Sequence, residues 1–221
     1  MLVGGGALAL GLGLLDDHLE LAPFSKLSLQ LLLAAPVVWA WPEAHPVPPM
    51  MAGLWVVAVI NAVNLVDGLD ELAAGVVAIA AGTLAFVGVV VHRGFLVVTA
   101  GGLLGATLGF WRLNRSPARL FLGDSGSHFC GFVLGVVSLL VPTKTLTAMT
   151  LAPVLLLGLP LLELVSSAMR RMASGRSPMK ADLEHLHHRL IASGWTEQQA
   201  CLLYTSPSPR DLSTSRMPSS A

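Results

Sequence analysis

The sequence predicts an all-α polytopic integral membrane protein, and three observations carry that prediction. Of the 221 residues, 54% are hydrophobic and 12% charged, half the share of about 25% charged residues in soluble domains; mean hydropathy is +0.72. Apolar runs on the scale of a bilayer crossing recur with short polar breaks between them. The basic residues fall unevenly over alternate breaks, as in a chain with a fixed orientation in a membrane. The net charge of zero is less informative than this distribution. Two cysteines make no disulfide framework, and Cys130, inside an apolar run, reads as a small buried hydrophobe.

About seven spans are expected, at Leu2–Leu15, Leu27–Trp41, Met51–Val66, Leu72–Val91, Phe95–Trp111, Phe129–Val141 and Leu146–Val165. The first has no basic leading region and runs into Asp-Asp-His-Leu-Glu instead of a small-residue cleavage site, so it reads as a shortened span and not a signal peptide. Others also fall short of the roughly 20 residues of a full crossing and are expected to extend into weakly polar flanks. Glycine is frequent within the runs, which suits close helix packing. From residue 201 the text becomes CLLYTSPSPRDLSTSRMPSSA, a disordered or non-native tail by composition. Residues 1–200 are left as the membrane core, expected to be truncated at both ends.

The breaks alternate in character. One set holds Lys26, Arg112, Arg115, Arg119, Arg170, Arg171, Arg176, Lys180 and Arg189, nine basic residues; the other holds Arg93 and Lys144. Nine against two places the first set in the cytoplasm. Asp16, Asp17, Asp67, Asp70, Glu71, Asp124, Asp182 and Glu184 fall on that same side, with His185, His187 and His188. The chemistry is expected at one membrane face.

Three constellations stand out. Asn61, Asn64 and Asp67 are spaced i, i+3, i+6 at the end of a span, along one drifting helical face, where polar groups need partners or a ligand. Asp16 and Asp17 end the first span, where carboxylates oppose the helix dipole; they point about 100° apart, so one could meet a metal or phosphate while the other acts as base or is held by a neighbour. In DLEHLHHRL, His185, His188 and Arg189 share a helical face while His187 looks elsewhere. That spacing is not a distinctive zinc pattern, and phosphate recognition with an arginine fork fits as well.

The stretch FLGDSGSHFCG, Phe121 to Gly131, suggests a serine-protease nucleophile at Ser125. The apolar surroundings and a serine at 127 instead of the second glycine of a nucleophile elbow argue against it. The other reading is a small-residue loop. There Asp124 is a hard oxygen ligand, Gly123 and Gly126 admit close backbone approach, and Ser125 and Ser127 offer hydroxyls to phosphate oxygens. Magnesium, bound by few protein oxygens plus substrate phosphates, suits such groups.

In their order, GLLDD, NAVNLVDGLDELAAG, RLNRSPARLFLGDSGS and HLHHRL resemble the motifs of the polyprenyl-phosphate N-acetylhexosamine-1-phosphate transferases, the undecaprenyl-phosphate type of glycosyltransferase family 4. The phospho-MurNAc-pentapeptide translocases are related to them. The likeness runs from Gly11 to about residue 199. It implies transfer of N-acetylhexosamine-1-phosphate, most simply from UDP-GlcNAc, to polyprenyl phosphate with release of UMP, the first membrane step of a cell-envelope glycan. It implies magnesium, with manganese as a substitute, held by Asn64 and Asp124; Asp16 and Asp17 as catalytic carboxylates at the lipid-phosphate side; and substrate contacts from Asn61, Asp67, Asn114, His185, His187, His188 and Arg189. It also implies a multi-pass protein of a bacterial or archaeal plasma membrane with its site facing the cytoplasm. Its partners would be the two substrates and the bilayer, no nucleic acid, and a second copy if it dimerises. One departure is that Glu71 stands where the family's Asp-Gly-Leu-Asp-Gly ends in glycine. The alternatives are a phospho-MurNAc-pentapeptide transferase, a transporter with intramembrane carboxylates, or an inactive fragment.

Overall fold

The computed structural model describes residues 2–42, 45, 47–68, 71–116 and 118–141, with isolated positions 158, 165, 166 and 169. Among the described residues the elements are six helices: α1 (Leu2–Leu19), α2 (Pro23–Trp39), α3 (Pro49–Val66), α4 (Leu72–Val90), α5 (Gly94–Asn114) and α6 (Gly123–Leu139). Helices α1, α3, α4 and α5 are each long and apolar enough to cross a membrane, and α2 is a shorter apolar helix. Many outward side chains are large and apolar, among them Trp39 at 93% and Val3 at 87% exposure, as a lipid-facing surface requires. The chain is an all-α polytopic membrane protein. The expected seventh run, Leu146–Val165, lies almost wholly outside the described residues, as does the 201–221 tail.

Three boundaries lie four or more residues from the sequence reading, and one is the start of α2 at Pro23 instead of Leu27. Helix α1 continues to Leu19 and takes Asp16 and Asp17 into its last turns. Helix α6 starts at Gly123, six residues before the expected Phe129, so Gly-Asp-Ser-Gly-Ser is the first turn of a helix and not a loop. The cause is tertiary. Gly123 turns the chain at φ 66°, and the Asp17 carboxylate accepts hydrogen bonds from the free first-turn amides of Asp124 (2.8 Å) and Ser125 (3.1 Å), doing from another helix what an N-cap side chain does locally.

Helix α6 is the centre of the bundle. It packs mainly on α1 and α3, α2 packs on α3, and α4 pairs with α5. Gly131 and Gly135 are four apart on the α6 face that meets α3. A Cβ at Gly131 would lie 2.6 Å from the Ile60 Cα, and one at Gly135 would lie 3.1 Å from the Val56 Cα. This is small-xxx-small packing, in which two backbones touch because no side chain intervenes. The connectors are short and the helices alternate in direction. The ends of α1, α3 and α5 therefore share one rim with the starts of α2, α4 and α6.

Glu71 ties that rim together. It precedes α4 in the left-handed region at φ 69°, the conformation glycine adopts without strain, at the position where the motif has glycine. Two hydrogen bonds offset the strain. The Glu71 N–H donates to Asn114 Oδ1 (2.9 Å), and Glu71 Oε1 accepts from the Ser116 N–H (2.9 Å). Asn114 Nδ2 donates in turn to the Leu120 carbonyl (2.9 Å). The residue that opens α4 is thus bonded to the end of α5 and the segment leading into α6. Replacing Glu71 by Gly removes a strain of about 1–2 kcal/mol and a hydrogen bond of about 1 kcal/mol, so thermal unfolding in detergent should shift little. Glu71→Ala keeps the strain and loses the bond, and should unfold several degrees lower. A Glu71→Gly variant as unstable as Glu71→Ala would refute the left-handed assignment.

Candidate active site

The rim gathers side chains from α1, α2, α3 and α6 around one ammonium group. Lys26, in the first turns of α2, extends Nζ to 2.5 Å from Asp16 Oδ2 and 3.2 Å from Asp124 Oδ2. Asn64 Oδ1 lies 3.4 Å from the same nitrogen. The side chains of Lys26, Asp16 and Asp124 are 18%, 4% and 29% exposed, so the cluster opens outward on the Asp124 side. Asn64 also donates from Nδ2 to Asp124 Oδ1 and to Ser127 Oγ, the latter at 3.0 Å. Oxygens from three helices, far apart in sequence, therefore converge on one cation.

The two carboxylates ending α1 divide as their angular separation requires. Asp16 is buried at 5% exposure; Oδ1 accepts from the Leu21 N–H at 3.0 Å, and Oδ2 rests on Lys26. Asp17 is exposed and holds the α6 N-terminus. Asp67 follows α3 directly and accepts from the Gly123 N–H. Burial, with the nearby negative charges of Asp124 and Asp17, pushes its carboxyl up to about 7 against the opposing pull of that amide.

Behind the rim lies a second, buried layer. His128 Nδ1 donates to the Asp124 carbonyl (2.6 Å), which leaves Nε2 as the acceptor for Gln30 Nε2 (3.0 Å). Gln30 Oε1 accepts from Asn61 Nδ2 (2.6 Å), which also donates to the Val57 carbonyl (2.8 Å). Gln30 and His128 are both fully buried, and each of their side-chain polar atoms has a partner, as burial demands. His128 therefore cannot serve Ser125 as a base: both ring nitrogens are engaged, and the protease reading has no support among the described residues.

The structure brings together Asp16, Asp17, Asn64, Asp67 and Asp124. Asn61 belongs to the buried layer, and the Asn114 amide is bound to backbone on both sides. Ser127 is 0% exposed and sealed behind Asn64, so it does not offer its hydroxyl to a phosphate from solution, as the sequence suggested. His185, His187, His188 and Arg189 lie outside the described residues. Three participants were missed: Lys26, counted only as a cytoplasmic charge, Gln30 and His128. One signal was available, since Lys26 and Gln30 are i, i+4 on one helical face and Gln30 interrupts an apolar run, where a polar side chain needs a partner.

Among the described residues no three Asp, Glu, His or Cys side chains close around a point as a metal cage. The donor set that does converge mixes Asp16, Asp124 and Asn64 oxygens around the Lys26 ammonium, which stands in for a cation. Two carboxylates and a carboxamide fit a hard divalent ion that keeps water or substrate oxygens in its remaining positions.

A family model described as glycosyl transferase family 4 matches residues 1–142. The chain is 31% identical over 219 residues to a probable undecaprenyl-phosphate N-acetylglucosaminyl 1-phosphate transferase of Bacillus subtilis, an alignment covering 90% of this chain and 60% of that protein. It is 32% identical over 238 residues to a decaprenyl-phosphate N-acetylglucosaminephosphotransferase of Mycolicibacterium smegmatis, covering 91% and 58%. To a phospho-N-acetylmuramoyl-pentapeptide-transferase of Moorella thermoacetica it is 38% identical over 162 residues, covering 71% and 48%. The chain thus spans about three fifths of the length of the first two relatives. Its matched residues hold α1 to α6 and the whole rim cluster, and the chain belongs to glycosyl transferase family 4.

Proposed function

We propose that this chain carries the catalytic core of a magnesium-dependent enzyme that transfers N-acetylhexosamine-1-phosphate from a UDP-sugar, UDP-GlcNAc in the first instance, to a polyprenyl phosphate at the cytoplasmic membrane face. The observation that carries this reading is the convergence of Asp16, Asp124 and Asn64 oxygens on one cationic point at the rim of an apolar bundle. A phosphate attached to a lipid reaches that depth from the bilayer, and a soluble diphosphate reaches it from the water. The N-acetylglucosamine substrate is favoured over the muramoyl pentapeptide because the likeness to N-acetylglucosaminyl relatives runs over 90% of the chain against 71%.

In the reaction an oxygen of the lipid phosphate attacks the sugar-bearing phosphorus of the UDP-sugar, the bond from that phosphorus to the bridging oxygen breaks, and UMP leaves with the bridging oxygen. Magnesium, when bound, neutralises the diphosphate and the charge that develops on the leaving UMP. Asp124 and Asn64 are the residues to hold it. Asp16, turned inward on Lys26, is fixed for orienting the lipid phosphate. Asp17 keeps the first turn of α6, and with it Asp124, in place. Asp67, whose carboxyl is raised to about 7, holds or yields a proton near neutral pH beside Asp124. Most of the catalysis asked of these groups is positioning and charge stabilisation.

In the longest natural chain containing this sequence, UMP should appear from UDP-GlcNAc only when polyprenyl phosphate and magnesium are both supplied. Asp124→Asn should cut the rate by ~100-fold or more, while Ser125→Ala should leave it within a few-fold. Release of UMP without the lipid would refute the transfer, and a dead Ser125→Ala would restore the serine as nucleophile. A second expectation concerns pH. A carboxyl at about 7 when folded and near 3.8 when unfolded binds its proton more tightly in the folded chain. Its contribution to stability is therefore full below about pH 4, falls as pH rises towards 7 and stays flat above. Without divalent ions, Asp67→Asn should flatten this decline in thermal-unfolding midpoint between pH 4.5 and 7; an unchanged slope would remove Asp67 as its source.

A further inference from the structure

We infer that Lys26 is a built-in counter-cation that competes with a divalent ion for Asp124 and Asn64, so that the site resists metal until an anionic substrate supplies oxygens for both cations. The inference rests on the divalent-ion reading above. The same oxygens that suit magnesium are engaged by Nζ, at 2.5 Å from Asp16, 3.2 Å from Asp124 and 3.4 Å from Asn64. Two cations cannot share these oxygens without standing a few ångströms apart, where their repulsion in a partly buried site is large. The ammonium has a clear role in the metal-free protein. Asp16, Asp124, Asp17 and Asp67 crowd one rim, and Lys26 is the charge that allows Asp16 to stay buried and ionised beside Asp124.

Lys26 is also tethered. Its backbone N–H donates to the Ala22 carbonyl in the first turn of α2 (3.0 Å), so the ammonium is always at high local concentration, and a divalent ion must displace it from Asp124 and Asn64. A diphosphate entering with the metal changes the balance, because its own oxygens can take both the divalent ion and the released ammonium. Lys26 is thus a positioning residue: it keeps the carboxylates together when the metal is absent and becomes free to meet phosphate when the metal arrives.

The test is Mn2+ binding to the full chain in detergent, read from the loss of the free-ion electron paramagnetic resonance signal without nucleotide. Lys26→Met should bind Mn2+ at least tenfold more tightly than the natural chain, Lys26→Arg should bind no more tightly than the natural chain, and Asp124→Asn should lose binding in both the natural and the Lys26→Met background. A second measurement needs no variant at Lys26: amine-reactive labelling of Lys26, followed by mass spectrometry, should rise several-fold when Mn2+ is added to the natural chain and stay constant in Asp124→Asn. If Mn2+ binds but Lys26→Met leaves the affinity unchanged or weaker, or labelling does not rise, the competition is overturned and the metal reading stands. If neither the natural chain nor Lys26→Met binds Mn2+ at millimolar concentration, the metal reading falls and the competition with it.

Discussion

Helix α6 can begin where it does only because α1 ends there. Gly13 of α1 leaves no room for a Cβ against the backbone of Asp124 and Ser125, so the two helices touch through their main chains. One turn later Asp17 receives the first amides of α6. A carboxylate at a helix C-terminus is unfavourable alone. Here it faces the positive end of a neighbouring helix, and the two dipole problems cancel. This docking fixes the start of α6, the direction of Asp124 and the inward turn of Asp16. Gly131 and Gly135 then seat α6 on α3 closely enough for Asn64 to reach Asp124.

The electrostatics of the rim follow from that geometry. Four aspartates within one cluster would repel one another in the low dielectric near a membrane, and each is stabilised differently. Asp17 has helix amides, Asp16 has Lys26, Asp124 has Lys26 and Asn64, and Asp67 has one amide and a raised proton affinity. The buried Asn61–Gln30–His128 chain stiffens the floor beneath them without adding charge, because the His128 tautomer is set by the Asp124 carbonyl. The arginines above contribute less to this balance. Arg112, Arg115 and Arg119 are exposed, and Arg115 stacks 4.8 Å over the Trp111 ring.

Much of the architecture was legible because it is written locally. Apolar runs give the spans, and polar residues at their ends, Asp16, Asn64 and Asp124 among them, give the shared rim. What was hidden depends on contacts across great sequence distance. The Gln30–His128 bond joins residues 98 apart and the Asp17–Asp124 bond residues 107 apart. No local pattern announces either. The early start of α6 was hidden for the same reason: Gly-Asp-Ser-Gly-Ser has weak helix propensity alone and becomes a helical turn only when another helix caps it. Glu71 was half legible: the motif marks it as standing in a glycine's place, and its left-handed conformation depends on bonds to Asn114 and Ser116.

The position of the polar cluster separates the transferase reading from the transporter reading of this many-helix protein. A transporter needs its polar groups near the midplane, at broken helices that can open alternately to either side. In this bundle every member of the cluster sits on the first or last turns of a helix or just beyond. A groove between α2 and α3 and another between α1, α5 and α6 are lined almost wholly by apolar side chains. Beneath the rim, the described residues offer a solute little beyond the Asn61–Gln30–His128 layer, whose polar side chains are bonded to one another. The proposed acceptor, a phosphate held by its lipid at the bilayer surface, needs no path beneath the rim, because it never leaves that depth. Among the described residues, charge clustered at one rim is the arrangement that the proposed reaction between a lipid-borne and a soluble phosphate requires.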